Sequence, residues 1–408
     1  MPPRGKERLV LVGNGMSGMR MIDELLKLDA NRYAIEIFGA EPHPNYNRIM
    51  LSSVLAGEKA IEEIILHPRE WYAMNNIKLT TGDVVTALDV RAKTVTSASG
   101  RVAGYDKLVL ATGSRPLVPP VAGLDLPGVC VFRDIADLER IKQASGTGHR
   151  AVVVGGGLLG LETAFGLLRR GMHVTVLHLM GTLMERQLDE AAGLLLQRDL
   201  VDRGVTVMTK AETEAIVGNH FVEAVRLADG RELQADLVVF AVGVRPNIDL
   251  ARHAGIAVDR GIIVDDLLMT READVFAVGE CVEHRGQTFG LVGPLWDQAR
   301  TCAGTLTGAE PSAYVPPTPF TSLKITGVDI FSAGALSARD DGDEEMTLRD
   351  AARAQYKKLV VRDGRLVGAI LYGEISDGPW FVELMESKCD VSAFRDLLLF
   401  DRALAQAA

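Results

Sequence analysis

Two glycine clusters have the spacing that binds a phosphate-containing cofactor. In the first, Gly13, Gly15 and Gly18 form G-x-G-x-x-G directly after a run rich in Leu and Val. This context predicts a tight turn, a close approach of the backbone to a pyrophosphate, and a helix N-terminus with free N–H donors. The spacing alone is a weak signal, but a strand before it and a helix after it favour a dinucleotide site over a structural turn. The predicted contacts are Gly13, Gly15, Met16, Ser17 and Gly18.

The second cluster repeats this spacing with one additional glycine, Gly156. A second dinucleotide site is therefore predicted. Because hydride passes directly between stacked rings, a flavin with a nicotinamide is a chemically reasonable pair, whereas two nicotinamides are not. The predicted cofactors are FAD and NAD(P)H, the second of them bound by Gly155, Gly157, Leu158, Leu159 and Gly160.

The elements that must position these turns occur twice along the chain. RLVLVGNGMSGMRMIDELL begins at Arg8 and RAVVVGGGLLGLETAFGLL begins at Arg150, and each is followed by a second apolar run, at 34–38 and at His173–Leu177. Each unit therefore predicts a βαβ motif in a parallel sheet. The segment between the units alternates like an antiparallel β-meander that ends in a buried strand at 107–111. From about residue 311 a Pro-rich connector leads to further strands, including 357–362 and 366–371, and to the acidic run DDGDEE, which we interpret as a solvated loop.

The predicted fold class is α/β, with two Rossmann-like dinucleotide-binding domains, their β-meanders and a C-terminal α+β domain. Residues 1–120 and 246–315 form the two parts of an FAD-binding domain. Residues 121–245 form the NAD(P)H-binding domain and residues 316–408 form the C-terminal domain.

Composition excludes several classes of function. The 408 residues carry 44 Lys and Arg against 54 Asp and Glu, and the net charge of -10 disfavours nucleic acid. The four cysteines are widely separated, so no metal site is predicted. No signal peptide or stretch of about 18 apolar residues is found, which predicts no membrane association and a cytoplasmic location. A monomer and a homodimer both stay open.

Several longer strings resemble one superfamily. YDKLVLATGSRP at 105–116, GLLGLETA at 157–164 and ADVFAVGEC at 273–281 are similar to the flavoprotein reductases with two dinucleotide domains, which include ferredoxin, rubredoxin and disulfide reductases. The resemblance implies a glutathione-reductase-like fold. It places Ala111, Thr112 and Gly113 under the isoalloxazine, and Gly279 and Glu280 at the ribityl chain, with Glu in place of the usual Asp.

Within that superfamily, YNRIMLSSVLAG at 46–57, HLMGTLMERQLD at 178–189 and GPLWDQA at 293–299 resemble the flavin module of NAD(P)H nitrite reductase large subunits. In those proteins an iron–sulfur region and a sirohaem domain follow. The sequence here holds neither, so we expect that it does not itself reduce nitrite. Branches that need a cysteine in the N-terminal flavin-binding segment are excluded, because the first cysteine is Cys130.

Further flavin contacts follow from the same resemblance and from position in the motif. Glu41, just after the second strand of the first unit, is the candidate acid for the adenosine ribose. Arg48 matches a flavin-phosphate arginine, and Ser53 stands where relatives have a lysine that pairs with a glutamate. The remaining likenesses are Val85 at the adenine, Leu295 and Trp296 near the pyrimidine end, and Arg133 near the flavin or in an interdomain salt bridge.

On the nicotinamide side, Glu162 matches a glutamate beside the carboxamide, with a helix-dipole role as the alternative. Gly243 is expected to line the nucleotide. His178 stands where an acid for the ribose would select NAD, so its presence leaves NADPH open. Arg186 is a candidate for a 2′-phosphate or a plain surface residue, and Lys324 is either close to the flavin edge or an exposed strand lysine.

The predicted function is an FAD-dependent NAD(P)H reductase that passes single electrons to a separate iron–sulfur or rubredoxin-like protein, a nitrite reductase system being one candidate. The expected docking surface is the C-terminal domain, through Lys324, Arg353, Lys357 and Lys358. One alternative is a rubredoxin or ferredoxin reductase unrelated to nitrite. Another is a flavin redox sensor or scaffold without turnover, which would not need Gly155–Gly160 and Glu162.

Overall fold

The computed structural model describes residues 6–309, 313–318, 320–325, 328–340, 342–400 and 402. The chain divides into two compact units. Unit 1 contains the residues up to Leu51, Lys59–Arg115 and Val244–Pro316, and unit 2 contains Ser52–Glu58, Pro116–Gly243 and the residues from Pro317 onward.

In the described ranges the α-helices, α1 to α9 in chain order, are Met16–Asp29, Leu51–Leu55, Arg69–Met74, Ile135–Ala144, Leu158–Arg169, Glu190–Asp202, Asp249–His253, Val292–Thr307 and Gly378–Ser387. Short 3₁₀ helices are Arg48–Met50, Glu62–Ile64 and Arg395–Leu397. The strands β1 to β14 are Glu7–Val12, Tyr33–Gly39, Asn45–Tyr46, Ile65–His67, Lys78–Thr81, Val85–Asp89, Thr94–Ser97, Val102–Gly104, Lys107–Leu110, Ser114–Pro116, Val129–Val131, Arg150–Val154, His173–Leu177 and Thr206–Met208. The strands β15 to β28 are Thr213–Val217, Ala224–Leu227, Glu232–Gln234, Leu237–Phe240, Val244–Pro246, Ile262–Val264, Val275–Ala277, Val282–His284, Gln287–Thr288, Phe320–Ile325, Val328–Gly334, Asp343–Asp350, Gln355–Arg362 and Arg365–Tyr372.

The main sheet of unit 1 is parallel, in the order β21-β9-β1-β2-β5. Its central strand β1 is a run of Leu and Val buried from Leu9 to Val12, as expected for a strand covered on both faces. Helices α1 and α8 pack against each other. The first predicted βαβ motif is confirmed, and so is the antiparallel meander, which consists of β6, β7 and β8.

Unit 2 repeats this plan. Its parallel sheet has the order β11-β18-β12-β13-β14, and β12 pairs with β13 so that Val154 lies opposite Leu177. A second antiparallel meander is formed by β15, β16 and β17. The second βαβ motif is therefore also confirmed.

The C-terminal part of unit 2 is a five-stranded antiparallel sheet, β24-β25-β28-β27-β26, covered by α9. Two tyrosines bind this sheet to α6. Tyr356 Oη donates to Asp189 Oδ2 at 2.6 Å, and Tyr372 Oη donates to Asp199. The predicted α+β domain is therefore confirmed. Within unit 2 it contacts helix α6.

The interpretation of the acidic run as a solvated loop is wrong for its second half. Strand β26 begins at Asp343, inside the run. Asp343 accepts two hydrogen bonds from Arg362 on the neighbouring strand, and Glu345 pairs with Lys358. The cross-strand cations neutralise these carboxylates, so they belong to a sheet edge. Asp341 lies outside the described residues.

Candidate functional site

The three glycines of the first turn differ in what surrounds them. A Cβ at Gly13, where φ is +116°, would lie 2.1 Å from the Ala111 carbonyl oxygen, and one at Gly18 would lie 2.9 Å from Ala111 Cβ. Gly13 and Gly18 are thus required by the protein's own packing. A Cβ at Gly15 would meet no such protein atom within 4 Å, and its extended backbone suits any residue. The space beside Gly15 is therefore open for a group that is not protein.

The second turn has the same division of tasks. A Cβ at Gly155, φ +122°, would lie 2.3 Å from the Ala241 carbonyl oxygen, and one at Gly160 would lie 1.9 Å from the Gly155 oxygen. Gly157 again faces open space. Both helices that follow, α1 and α5, begin at these open glycines without a side-chain cap, so their first N–H groups are available to an anion.

Met16 and Ser17 lie in the first turn of α1, and Leu158 and Leu159 lie in the first turn of α5. Ser17 also borders Gly279, because a Cβ at Gly279, φ +95°, would lie 3.0 Å from Ser17 Cβ. The structure thus brings the predicted ribityl segment to the first glycine turn. This proximity fits a cofactor that extends from its pyrophosphate toward its ring.

The loop after β9 is held by one residue that the sequence did not indicate. Thr112 Oγ1 donates to the Asn247 carbonyl oxygen at 2.7 Å, and Asn247 Nδ2 donates back to the Thr112 carbonyl oxygen at 2.9 Å. The Asn247 N–H also donates to the Gly113 carbonyl oxygen. Gly113 has φ +64°, and a Cβ there would meet open space. Three hydrogen bonds thus hold the loop to Asn247, and the space beside Gly113 is open among the described residues, which fits a support for a planar ring.

Glu280 accepts a hydrogen bond from Ser114 Oγ at 2.8 Å, and the N–H of Gly279 donates to Gln298 Oε1 on α8 at 2.8 Å. Ser114 is a further residue that the sequence did not indicate. Its bond fixes the carboxylate that replaces the usual Asp. Segment 279–280 is therefore anchored at both residues.

Glu41 and Arg48, predicted as separate contacts, lie together. Arg48 Nη2 donates to Glu41 Oε1 at 2.5 Å, and Tyr46 Oη donates to Glu41 Oε2 at 2.6 Å. Glu41 follows the end of β2 by two residues. The arginine thus neutralises the acid, and the two candidate contacts form one ion pair.

The other predicted flavin contacts are placed as follows. Val85 begins β6 and is buried. Leu295 is buried in the first turns of α8, whose N-terminus has no side-chain cap. The Trp296 ring makes a cation–π contact with Arg20, whose guanidinium carbon lies 5.7 Å from the ring centroid. Because α8 begins at Val292, Leu295 and Trp296 lie just inside the helix, and the N–H groups left free at its N-terminus belong to the residues before them.

Glu162 lies on α5 beyond its first turn, in unit 2. Burial raises the pKa of this carboxyl from 4.5 to about 7, although a hydrogen bond with Ser52 opposes the shift. Because Glu162 lies beyond the first turn of α5, where the effect of the helix dipole falls off, the dipole alternative is disfavoured. Ser52, next to the predicted Ser53 on α2, is the residue that meets Glu162.

The remaining predicted residues are in unit 2. Gly243 has φ +117° and faces open space, and Arg133 precedes α4, where its N–H donates to Asp137. His178 is buried directly after β13 with both ring nitrogens in hydrogen bonds. The backbone of Lys324 belongs to β24, and its side chain lies outside the described residues.

The predicted basic docking patch is wrong for Lys357 and Lys358. Both side chains are buried in β27. Lys357 pairs with Asp377 at 2.8 Å, and Lys358 pairs with Glu345 and Asp189. Arg353 is exposed and pairs with Asp350. Consecutive residues on a strand point to opposite faces, and β27 is buried on both, so each lysine meets a carboxylate on its own side and is not available to a partner.

The four cysteines are free, with Cys281 and Cys302 buried. Burial raises the pKa of the Cys281 thiol, which disfavours a reactive thiolate there. Across the described ranges, no three His, Cys, Asp or Glu side chains are grouped as a metal would need. No helix within those ranges is both long and apolar enough to cross a bilayer.

Two uncapped helix N-termini beside open glycines, with a rigid platform loop next to one of them, define a flavoprotein with two dinucleotide sites. Residues 7–301 match the family described as pyridine nucleotide-disulphide oxidoreductase, and residues 319–389 match the rubredoxin NAD+ reductase C-terminal domain. The chain belongs to the pyridine nucleotide-disulphide oxidoreductase family. It is an FAD-dependent NAD(P)H oxidoreductase, as the sequence predicted.

The relatives divide into two groups by length. The chain is 47% identical to the nitrite reductase [NAD(P)H] of Bacillus subtilis, over 95% of this chain and 48% of that protein. It is 42% identical to the assimilatory nitrate reductase electron transfer subunit of the same organism, over 95% of this chain and 50% of that protein. The chain therefore spans about half the length of these relatives. By contrast, its 29% identity to the nitric oxide reductase FlRd-NAD(+) reductase of Vibrio vulnificus covers 90% of this chain and 94% of that protein.

Solved structures agree with this assignment. The reductase in the covalent putidaredoxin reductase–putidaredoxin complex has a TM-score of 0.89 at 26% identity, and the match covers 99% of each chain. The ferredoxin reductase for the CYP199A2 system of Rhodopseudomonas palustris has a TM-score of 0.89 at 25% identity, over 99% of this chain and all of that one. The predicted glutathione-reductase-like fold class is confirmed.

Proposed function

We propose that this chain oxidises NAD(P)H and delivers single electrons to a separate iron–sulfur or rubredoxin-like protein, with a nitrite reductase system as the first candidate. FAD, when bound, accepts a hydride from the nicotinamide and releases its two electrons one at a time. The observation that carries the proposal is the pair of glycine turns. In each, the first and third glycines are required by the protein's packing and the second faces open space.

In unit 1 the first turn of α1 would hold the FAD pyrophosphate, with Arg48 adding a guanidinium for the phosphates. Glu41, held by Tyr46 and Arg48, would accept from the adenosine ribose, and the backbone near Val85 would border the adenine. Segment 279–280 would bind the ribityl chain through the Glu280 carboxylate, which Ser114 orients.

The platform made by Ala111, Thr112 and Gly113 would support the flavin ring, because Asn247 fixes its backbone. The uncapped N-terminus of α8, which begins at Val292 and is followed by Leu295 and Trp296, would stabilise negative charge on the reduced ring. These residues position and polarise the cofactor, and hydride transfer itself needs no protein acid or base.

In unit 2 the first turn of α5 would hold the NAD(P)H pyrophosphate, and Gly243 would border the nucleotide. Because its pKa is raised to about 7, Glu162 is partly protonated near neutral pH. Its protonated form could donate a hydrogen bond to the carboxamide, and its ionised form could accept one. Roles for Arg133, Ser53 and Lys324 stay predictions from the family resemblance.

The separate acceptor is supported by the free cysteines and by the relatives. Cys281 and Cys302 are buried, Cys130 and Cys389 are unpaired, and a two-electron dithiol acceptor would need a pair. The Bacillus subtilis relatives are named for nitrite reduction and for electron transfer to nitrate reduction. This chain matches only about half of each of these proteins, so their activity does not carry over directly. Nitrite as the terminal substrate is therefore proposed and not established.

A rubredoxin or ferredoxin reductase without a link to nitrite is the second candidate. It is favoured by the match of residues 319–389 to the rubredoxin reductase C-terminal domain and by the nearly full coverage of the Vibrio reductase. A cytoplasmic location belongs to either candidate and stays a prediction, as does the choice between monomer and homodimer.

In the experiment, the purified holoprotein is first reduced with NADH in the absence of air. It is then mixed with one of three acceptors, which are an iron–sulfur protein, a rubredoxin and dioxygen. The proposal predicts that one of the two proteins reoxidises the reduced flavin much faster than dioxygen does. Faster turnover with the iron–sulfur protein favours the first candidate and faster turnover with rubredoxin the second. If dioxygen is as fast as either protein, the chain is an oxidase and the proposal is wrong.

A further inference from the structure

The segment after β13 is fixed to the second glycine turn through Gly156. The N–H of Gly156 donates to His178 Nδ1 at 3.1 Å, and its carbonyl oxygen accepts from the Met184 N–H at 3.0 Å. A Cβ at Gly156 would lie 2.5 Å from Leu183 Cδ2 and 2.8 Å from His178 Cγ. The additional glycine of the motif is thus the only residue type that admits both side chains.

These contacts determine which nitrogen of His178 carries a proton. A backbone N–H can only donate, so Nδ1 must be the unprotonated acceptor. Nε2 is then the donor, and it lies 3.0 Å from Glu185 Oε2. With both ring nitrogens in hydrogen bonds and its ring buried, His178 has no hydrogen-bonding group left for a ribose or a phosphate.

Glu185 therefore supplies a carboxylate beside the place where the ribose-binding acid of such motifs stands, directly after the second strand. About one third of its side chain is exposed, while the histidine holds one oxygen. Among the described residues the other oxygen has no hydrogen-bonding partner, so it can accept from a ribose 2′-hydroxyl. A 2′-phosphate in the same place would meet a fixed negative charge.

Two cations near this carboxylate are the competing candidates. Arg186 is exposed, and among the contacts of the described residues it has no carboxylate partner. Lys210 is also exposed, and its Cε would lie 3.4 Å from a Cβ at Gly181. Either would be the clamp if the site were built for a 2′-phosphate. Neither is held by hydrogen bonds in the way that Glu185 is.

We propose that Glu185, positioned by His178, binds the adenosine ribose 2′-hydroxyl of the nicotinamide nucleotide and makes the enzyme selective for NADH over NADPH. The inference rests on the proposed nucleotide site of unit 2 and adds its selectivity. It replaces the expectation from sequence that a histidine at position 178 leaves NADPH open.

The test measures the dissociation constants of NAD+ and NADP+ for the holoprotein by calorimetry, together with the KM values of NADH and NADPH with ferricyanide as acceptor. The wild type should prefer NAD+ at least about tenfold, because like charges placed side by side strongly disfavour binding. Glu185→Gln keeps the acceptor for His178 and removes the charge, so this preference should fall to about threefold or less.

Arg186→Gln and Lys210→Gln are the matched controls, and neither should reduce the preference for NAD+. His178→Ala should lower the preference as Glu185→Gln does, with the change appearing in the ratio of the KM values of NADH and NADPH, because the carboxylate loses the hydrogen bond that positions it. An unaltered ratio in Glu185→Gln would overturn the inference. So would a wild-type preference for NADP+ that Arg186→Gln or Lys210→Gln removes.

Failure of the proposed function would look different. If NADH bound with the expected selectivity but passed no electrons to a protein acceptor, the electron-transfer proposal would be wrong. The dissociation constants would still report on Glu185.

Discussion

Glu162 offers a stability test whose size follows from its surroundings. Its carboxyl is largely removed from water, and Ser52 is its one described hydrogen-bonding partner, so its pKa rises from 4.5 to about 7. At about 1.4 kcal/mol per pH unit, ionising this group in the folded protein costs roughly 2–3 kcal/mol, the lower figure allowing for its partial exposure. Replacement by Gln removes the charge and keeps the shape.

The sign follows from proton binding. Between the ordinary pKa and about 7, the folded state binds more protons than the unfolded state, so the free energy of unfolding falls as pH rises. Below the ordinary pKa both states are protonated and no cost arises. Glu162→Gln should therefore match the wild type near pH 4 and exceed its stability near pH 8, by up to about 3 kcal/mol.

The assay is thermal unfolding of the holoprotein at both pH values, where the difference in Tm should grow by about 3–6 °C from low to high pH. Glu214→Gln, at an exposed site on β15 of the same unit, is the control and should show no such growth. A difference that is constant with pH, or a variant less stable than wild type near pH 8, would refute the assignment of a strained, buried carboxyl.

Three further predictions follow from the packing. Gly15→Val should fold but lose FAD, and Gly157→Val should fold and keep FAD but no longer be reduced by NADH, because each new side chain would enter open space. Flavin content and anaerobic bleaching of the flavin distinguish the two variants, and variants that do not fold would contradict the geometry. Lys358→Met should lower the free energy of unfolding by about 1–3 kcal/mol, because Asp189 loses a partner. The rate of protein-acceptor reduction at low salt should stay the same, and a large loss of that rate would show that Lys358 takes part in docking after all. Asn247→Ala should weaken FAD retention several-fold in a dilution assay, because the platform loop loses the side-chain half of its reciprocal bonds, whereas unchanged retention would show that the remaining backbone bonds suffice.

The fold was predictable because its signals are local. A glycine turn between an apolar strand and an amphipathic helix specifies a βαβ motif, and the chain contains this pattern twice. The strands of the C-terminal sheet were likewise visible as alternating runs. The mistaken docking patch shows the limit, since the sequence gives the charge of Lys357 and Lys358 but not the carboxylates that face them across strands and from other elements.

Within the candidate site, the conformation of the glycine turns was predictable from their spacing, while the contacts they make with a ligand stay predictions. Gly13, Gly15 and Gly18 have roles set by conformation, which spacing reveals. Partners distant in sequence were missed, because nothing local relates Asn247 to Thr112, or Ser52 to Glu162. Glu185 was missed for a related reason. Its role depends on the protonation of His178, and that depends on a hydrogen bond from the additional glycine.

The central claim is that two dinucleotide sites on one chain transfer hydride from a nicotinamide to a flavin. Anaerobic rapid mixing of the FAD-loaded protein with NADH, unlabelled or deuterated at the transferred position, tests it most directly. The account predicts loss of the flavin's visible absorption with about one NADH per chain, slowed by the deuterium. Bound flavin that keeps its absorption with both NADH and NADPH would contradict it.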